Sequence, residues 1–168
     1  MVHLRQVHPL EGNISTPQHL NISTPQHHTI MPLHIAIIGG GAAGFFAAIE
    51  AKRNYPDTDI TIFEKNQKML AKVAITGGGR CNLTNSFEQI SDPKHAYPRG
   101  DKLMKRLFKR FDHHAAYAWF EREGVPLTTQ EYECVFPVSQ DAMSVVNCLT
   151  TLASRLGVKQ LGGYQLKE

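Results

Sequence analysis

The sequence has few cysteines, little net charge and no long apolar run. Cys81, Cys134 and Cys148 are too few and too widely spaced for a disulfide framework or a zinc motif, a pattern typical of proteins of the reducing cytoplasm. A formal net charge of +3 does not indicate nucleic-acid binding. No apolar run approaches the ~20 residues of a membrane-spanning helix, and the N-terminus lacks the apolar region of a secretory signal. We therefore expect a cytoplasmic protein with neither a nucleic-acid nor a membrane partner.

The first thirty residues are expected to lie outside the fold. An octapeptide occurs twice with little change, at 13–20 and 21–28. Its Ser, Thr, Pro, Gln and His residues cannot bury enough apolar surface to offset the entropy of ordering. The histidines of this segment lack the spacing of a closed metal site, and we predict no metal site. We interpret residues 1–30 as a disordered low-complexity tail, and we hypothesise that Met31, rather than Met1, is the natural start.

A glycine fingerprint follows a short apolar run at 34–38, which predicts a buried strand. Gly39, Gly41 and Gly44 have the spacing G-x-G-x-x-G, and a helix is predicted from about 42 to 53. In such a turn the first glycine permits the tight turn, the second leaves room for a pyrophosphate, and the third lets helix and strand pack closely. The N-terminus of the helix would offer N–H groups and its positive dipole end to the phosphates.

An acidic residue ends the second predicted strand, at 59–63. Glu64 lies twenty residues after Gly44, where a carboxylate can accept hydrogen bonds from both hydroxyls of an adenosine ribose and repel a 2′-phosphate. Strand, glycine turn, helix, strand and acid together predict an α/β fold, with a βαβ unit that begins a Rossmann-type dinucleotide-binding domain. The alternative is a βαβ unit whose glycines serve packing alone and whose Glu64 is a solvated charge.

A second glycine-rich stretch follows at 76–82. The consecutive glycines Gly77–Gly79 can take backbone conformations that other residues avoid, and their N–H groups can bind an anion. Arg80 adds forked donors that suit phosphate, while Thr76 and Asn82 can bond the cofactor or brace the loop. Cys81 is interpreted as a buried structural cysteine, the alternative being a thiol whose pKa Arg80 lowers. The competing interpretation of the whole stretch is a flexible surface turn with a solvated arginine.

Helices and short strands are predicted for the rest of the chain. The predicted elements are a basic amphipathic helix at 101–111, helices at 112–123 and 140–156, short strands within 125–136, and a strand beginning at 158. Asp112 and Ser139 are the predicted N-caps of the second and third helices. The predicted buried face of the third helix comprises Met143, Val146, Leu149 and Leu152.

Four segments together resemble those of one known family: IIGGGAAGFFAAI, IFEKN, ITGGGRCNLTN and VFPVS. They are similar to the N-terminal part of the aminoacetone-oxidase and BaiN-like family of FAD-dependent oxidoreductases, from about Met31 to the end of the chain. The resemblance implies a Rossmann-type FAD domain, in which the first loop and Glu64 with Lys65 hold the ADP half of FAD. Residues 76–82 would then run along the pyrophosphate towards the flavin. The predicted cofactor-binding residues are Gly39, Gly41, Ala42, Ala43, Gly44, Glu64, Lys65, Thr76, Gly77, Gly78, Gly79, Arg80, Cys81 and Asn82.

The resemblance also implies a longer parent protein, with an inserted second domain and a closing glycine-rich stretch. We therefore interpret 31–168 as the truncated N-terminal part of an FAD-binding domain, with the missing C-terminal segment as its candidate partner. The predicted parent activity is an FAD-dependent oxidation or reduction of an unidentified small molecule, with NAD(P)H as a diffusing electron donor. No catalytic side chain is predicted. The alternatives are an NAD-binding dehydrogenase module and a non-catalytic truncated remnant that retains the fold.

Overall fold

The computed structural model describes residues 33–90 and 92–167. The predicted tail at 1–30 and the predicted start at Met31 lie outside the described residues. Within the described ranges, no helix combines the length and the apolar character that a membrane span requires.

Three parallel strands form the first sheet, in the order β1-β2-β6. They are β1 (His34–Ile38), β2 (Asp59–Glu64) and β6 (Lys159–Gly162). Helix α1 (Ala42–Asn54) connects β1 to β2, which confirms the predicted α/β fold with its βαβ unit. Ile38 is in register with Phe63, so the carboxyl ends of both strands lie at the same edge of the sheet. Ligands of open α/β sheets bind at such an edge.

Helix α1 and helix α6 (Met143–Arg155) contribute to one apolar core with the sheet. Phe45, Ala48 and Ile49 on α1 are fully buried. The side chain of Gln160 on β6 donates to the carbonyl oxygen of Thr150 on α6 at 3.3 Å, so α6 lies against β6. This packing holds the sheet whose first strand, β1, leads into the glycine turn.

A second, antiparallel sheet has the order β3-β5-β4. It consists of β3 (Thr84–Asn85), β4 (Leu127–Thr129) and β5 (Cys134–Pro137). The remaining helices are α2 (Ala71–Ile75), which leads into a 3-10 turn at Thr76–Gly79, α3 (Pro93–Ala96), α4 (Asp101–Phe108) and α5 (His113–Arg122). A second 3-10 turn at Glu131–Glu133 joins β4 to β5.

The start of α6 differs from the prediction. Gln140 has a φ of +55°, a left-handed conformation that a right-handed helix cannot include, so α6 begins only at Met143. Asp141 accepts the Met143 N–H at 2.8 Å, and the predicted cap at Ser139 is therefore wrong. Met143 itself is 40% exposed rather than buried. The buried residues of α6 are Val145, Val146, Leu149 and Ala153.

The two predicted N-caps give a matched test. Asp112 accepts the Ala115 N–H at 2.8 Å, so Asp112→Ala should lower the free energy of unfolding by about 1 kcal/mol. Ser139→Ala should change it by less than about 0.5 kcal/mol, because the exposed Ser139 hydroxyl bonds only within its own turn and to Ser144. Urea denaturation of both variants measures the difference. Equal effects would contradict this assignment of the caps.

The stabilisation of the fold by the Asp112 cap should decrease at acidic pH. The Ala115 N–H holds the pKa of the Asp112 carboxyl below its ordinary value of 3.8. The cap therefore stabilises the fold above pH 3.8, and its contribution is lost as the pH falls through the lower folded-state pKa.

Candidate dinucleotide site

The first glycine turn gives its three fingerprint glycines different surroundings. Gly39 has a φ of +109°, and its N–H donates to the Phe63 carbonyl oxygen at 2.7 Å, so the chain turns sharply off β1. A Cβ on Gly44 would collide with the carbonyl oxygen of Gly39 and lie 3.4 Å from Ile37 Cγ2. A Cβ on Gly41 would meet nothing within 4 Å. Gly44 is thus required by packing, whereas Gly41 keeps open space beside the main chain.

The N-terminus of α1 faces this open space with the N–H groups of its first turn. The first bond of the helix runs from the Phe45 N–H to the Gly41 carbonyl oxygen at 3.1 Å. The N–H groups of Ala42, Ala43 and Gly44 precede that bond, and the two alanines are exposed. A helix end with N–H groups of this kind binds phosphate.

Glu64 is held in place by main-chain donors. Its Oε2 accepts the Gly40 N–H at 2.8 Å, and its Oε1 accepts the Asn66 N–H at 2.9 Å and the Asn66 amide at 2.8 Å. The N–H groups of Asn66 and Gly40 lower the pKa of the Glu64 carboxyl, which therefore stays ionised at neutral pH. A fixed carboxylate beside a phosphate-binding helix end is the arrangement that recognises an adenosine ribose.

Gly40 is a site residue that the sequence prediction omitted. A Cβ there would collide with Met69 Sδ and lie 2.9 Å from Glu64 Cβ, so only glycine lets the main chain approach the carboxylate. Its carbonyl oxygen accepts the Leu70 N–H at 2.8 Å, which ties the glycine turn to the start of α2. The sequence signal that could have identified Gly40 is a glycine at an x position of the G-x-G-x-x-G fingerprint, where other residues are common.

The glycine turn, Glu64 and the segment leading into α2 line one cleft of about 470 Å³. We name it the glycine cleft; its lining residues are Gly39, Gly40, Gly41, Glu64, Lys65, Asn66, Lys68, Leu70, Ala71 and Lys72. The sequence prediction also omitted Lys68 and Lys72. Their four-residue spacing, with Lys65 close by, is a sequence signal that could have identified them. One glutamate and three lysines line this cleft, a combination of charges that suits a ribose joined to a pyrophosphate.

An apolar groove shares lining residues with the glycine cleft. It is lined by Ile38, Gly39, Phe63, Glu64, Lys65, Tyr164, Gln165 and Leu166 and has a volume of about 240 Å³. The rings of Phe63 and Tyr164 meet edge to face with centroids 6.1 Å apart. Gly39, Glu64 and Lys65 line both the glycine cleft and this groove.

The second glycine-rich stretch is a turn held by main-chain hydrogen bonds. Gly77–Gly79 have φ values of +59°, +68° and +84°, all left-handed. The Arg80 N–H donates to the Gly77 carbonyl oxygen at 3.4 Å, and the Cys81 N–H donates to that of Thr76 at 2.9 Å. The Gly79 carbonyl oxygen accepts the Ala142 N–H at 2.8 Å. These bonds anchor the turn to the start of α6.

The predicted residues of 76–82 do not line the glycine cleft. The guanidinium of Arg80 lies over the Phe136 ring, 4.3 Å from its centroid, and Arg80 lines a separate cleft. The Asn82 amide donates to Cys134 Sγ at 3.3 Å. The structure thus brings Gly39, Gly41, Glu64 and Lys65 together, while contact between 76–82 and a cofactor stays a prediction.

Burial determines the reactivity of the Cys81 thiol. Its side chain is 4% exposed, and desolvation raises the pKa of its thiol, so the neighbouring Arg80 does not activate it. We expect Cys81 to resist alkylation by iodoacetamide in the folded protein at pH 7.5 and to react fully in urea. Peptide mass spectrometry after timed quenching measures this. Labelling of native Cys81 as fast as in urea would support a reactive thiol instead.

No group of three His, Cys, Asp or Glu side chains that could hold a metal ion occurs in residues 33–90 and 92–167. The parallel βαβ unit, the glycine turn and the anchored acid instead define a dinucleotide-binding domain of the Rossmann type. A family model described as HI0933-like protein Rossmann domain matches residues 33–167. The chain therefore belongs to the HI0933-like family, and the resemblance carried by the four sequence segments is confirmed at the level of the family.

Two curated relatives share this part of the chain. A 3-dehydro-bile acid delta(4,6)-reductase of Clostridium scindens is 32% identical over 133 residues, which cover 79% of this chain and 32% of the relative. A ribosomal RNA dihydrouridine synthase of Haemophilus influenzae is 26% identical over 125 residues, covering 74% of this chain and 30% of the relative. The chain thus spans about a third of the length of these relatives.

A solved structure with a similar backbone is that of Thermovibrio ammonificans THI4. The two chains superpose with a TM-score of 0.49 at 16% identity, over 79% of this chain and 39% of the other.

Proposed function

We propose that this chain binds FAD and forms the N-terminal part of a flavin-dependent oxidoreductase. The observation that carries the proposal is the Glu64 carboxylate, fixed 2.8 Å from the Gly40 nitrogen beside the exposed N-terminus of α1. That carboxylate would accept the ribose hydroxyls of the ADP half. The N–H groups of Ala42 and Ala43 would donate to the pyrophosphate.

The flanking cavities support the same placement. Lys68 and Lys72 line the glycine cleft and would neutralise the pyrophosphate charge. The groove beside Phe63 and Tyr164 offers an apolar surface against which the adenine ring would pack. Glu64 would repel a 2′-phosphate, so NADPH would act as a diffusing electron donor that reacts elsewhere.

The flavin would supply the redox chemistry, and the protein would position it. One curated relative is named a reductase, and the other is named for forming dihydrouridine, which is uridine with two added hydrogens. These names support a reduction by the parent enzyme; the first names a small molecule, a bile acid, as what is reduced, and the second names ribosomal RNA. We propose a small molecule as the substrate of the parent enzyme. Since the relatives are about three times as long as this chain, we propose that turnover also needs segments corresponding to their remaining length. Cys81, Cys134 and Cys148 are free thiols, which supports a reducing, cytoplasmic location.

The second candidate is an NAD-binding module, because the anchored Glu64 suits the adenosine ribose of NAD equally well. The third is a non-catalytic remnant that keeps the fold. Thermal unfolding of the 168-residue chain with FAD, NAD, NADP and FMN separates them. FAD at a thousand times its dissociation constant should raise the free energy of unfolding by about 4 kcal/mol.

FMN and NADP are the control ligands in this experiment. FMN lacks the ADP half and should give no shift, and NADP should give less than NAD because of the Glu64 charge. A larger shift with NAD than with FAD would favour the NAD module. The absence of any shift would favour the remnant, and equal shifts with FMN and FAD would contradict binding through the ADP half.

A further inference from the structure

The net positive charge of the chain is concentrated around α4. Residues 99–111 contain six lysines and arginines and one acid, Asp101, so their formal net charge is +5. Since the whole chain has a net charge of +3, its other residues together have −2. The sequence prediction of neither a nucleic-acid nor a membrane partner rests in part on the whole-chain charge, which does not reveal this local excess.

The protein itself neutralises little of this charge. Among the described residues, Lys105 is the only one of the six basic residues with a carboxylate within 4.0 Å, that of Asp92 at 3.0 Å. The other five are exposed: Arg99, Lys102, Arg106, Lys109 and Arg110. A cluster of exposed like charges of this kind attracts an anionic partner.

The exposed residues of α4 and the turn after it form two parallel rows. A helix has 3.6 residues per turn, so residues four apart are neighbours along one face. We name the two rows by their chemistry: the basic row is Lys102, Arg106 and Arg110, and the apolar row is Leu103, Leu107 and Phe111. The residues of the apolar row are 53%, 49% and 40% exposed, in that order. Apolar side chains beside a rim of charge mark a surface that binds another molecule.

Aromatic contacts hold both rows in place on the domain. The Phe108 ring, on the packed side of α4, lies 5.6 Å from that of Phe87, measured between centroids. The Phe111 N–H donates to the Leu107 carbonyl oxygen at 2.9 Å, so the apolar row continues past the end of the helix. The Phe111 ring also packs against that of Phe46 on α1, with centroids 5.0 Å apart. The two rows are therefore a positioned surface of the domain.

A partner that matches both rows must offer anions and apolar surface side by side. A bilayer that contains anionic lipids has phosphates at its surface and acyl chains directly beneath them. Lysine and arginine side chains bind such phosphates with their charged ends while their stems lie along apolar groups. RNA supplies phosphates without an apolar layer, so it would leave the apolar row in water. The combination of rows thus favours an anionic lipid surface.

We propose that α4 and residues 109–111 bind the surface of an anionic phospholipid bilayer. The apolar row enters the boundary between headgroups and acyl chains, and the basic row pairs with lipid phosphates. Because anionic lipids are concentrated in the cytoplasmic leaflet, this contact is compatible with the proposed cytoplasmic location. It goes beyond the proposed function and does not depend on the binding of FAD.

Flotation of the 168-residue chain with lipid vesicles tests the proposal. In about 0.1 M NaCl, the chain should bind vesicles of phosphatidylglycerol and phosphatidylcholine at least about tenfold more tightly than vesicles of phosphatidylcholine alone. Arg106→Gln combined with Arg110→Gln should lower the partition coefficient on the anionic vesicles at least about tenfold, since each basic residue at such a surface contributes about fivefold. Arg155→Gln combined with Lys159→Gln is the matched control, because it removes two exposed charges elsewhere. The control should bind within about threefold of the wild type.

A second double variant tests the apolar row separately. Leu103→Gln combined with Leu107→Gln leaves every charge in place and keeps residues that favour a helix. It should bind the anionic vesicles at least about tenfold more weakly, because the glutamines do not enter the acyl boundary. Thermal unfolding without lipid checks that this variant is folded. The basic-row variant replaces exposed side chains only, so its result does not depend on that check.

Three results with vesicles would overturn the proposal. These are binding to neither kind of vesicle, a loss in the control variant as large as in the basic-row variant, and full binding by the folded apolar-row variant. Polyuridylate at the same salt concentration provides a further arm. Binding of polyuridylate that needs the basic row alone, without binding to vesicles, would assign this face to nucleic acid. Failure of the proposed function would appear separately, as absence of FAD binding to the wild-type chain.

Discussion

Replacing Glu64 with alanine is expected to lower the affinity for FAD by at least about a hundredfold. The ribose hydroxyls would lose two hydrogen bonds to a charged acceptor, each worth about 1.5–3 kcal/mol. The carboxylate is already fixed by Gly40 and Asn66, so the wild-type site spends little entropy in positioning it. Calorimetric titration of FAD into the wild type and the variant measures the ratio.

Two further variants sharpen the Glu64 experiment. Glu64→Gln keeps the size and one acceptor oxygen, so it should recover part of the affinity. Asp57→Ala removes an exposed acid from the turn before β2 and should bind FAD as the wild type does. Because Glu64→Ala also leaves the buried Gly40 N–H without its acceptor, titrations should be run well below its unfolding midpoint. Wild-type affinity in folded Glu64→Ala would restrict Glu64 to a structural role.

The affinity for FAD should also depend on pH with a defined sign. The N–H groups of Asn66 and Gly40 hold the pKa of Glu64 below its ordinary value of 4.5. The stabilisation that the carboxylate gives is present above pH 4.5 and is lost as the pH falls through its lower folded-state pKa. We therefore expect constant FAD affinity from neutral pH down to pH 4.5 and a decline as the pH falls below that value. A decline centred near neutral pH would indicate that another group controls binding.

Alanine at Gly44 is expected to lower the stability of the fold, whereas alanine at Gly41 is expected to lower the affinity for FAD. In Gly44→Ala the new methyl collides with the Gly39 carbonyl group, so the free energy of unfolding should fall by about 3 kcal/mol. Gly41 has a φ of −91°, which any residue can adopt, and its Cβ would meet nothing within 4 Å. Gly41→Ala should therefore unfold within about 0.5 kcal/mol of the wild type. Its methyl would occupy the space of the pyrophosphate, and FAD affinity should fall at least about tenfold.

Urea denaturation and FAD titration of the two variants check this pair. The contrast matters more than either value, because both changes add one methyl group to the same turn. Full FAD affinity in Gly41→Ala would show that the pyrophosphate does not approach the main chain there. A stable Gly44→Ala would contradict the packing of α1 against the turn.

The placement of the glycine turn and of Glu64 could be predicted because the pattern that specifies it is local. A strand run, the spacing of Gly39, Gly41 and Gly44, and an acid at the end of the next strand identify a βαβ unit without tertiary information. The structure reproduces each element, from the bounds of β1 to the left-handed Gly39.

Features that depend on contacts between distant segments could not be predicted. Gly40 became a site residue because its N–H meets a carboxylate 24 positions away. The Arg80 guanidinium donates hydrogen bonds to Gln130 and Gln140, which lie 50 and 60 positions away in the sequence. The start of α6 was misplaced because the left-handed Gln140 and the bond from Ala142 to Gly79 arise from packing and leave no local pattern.

A map of amide chemical shifts during titration with FAD tests the FAD-binding assignment most directly. Uniformly 15N-labelled chain should show its largest shifts at the N–H groups of Gly39–Gly44 and at Asn66, and Glu64→Gln should reduce them. Such a pattern would place the ADP half of FAD in the glycine cleft. Saturable binding that leaves these amides unmoved, or no binding at all, would contradict the assignment of this cleft to FAD.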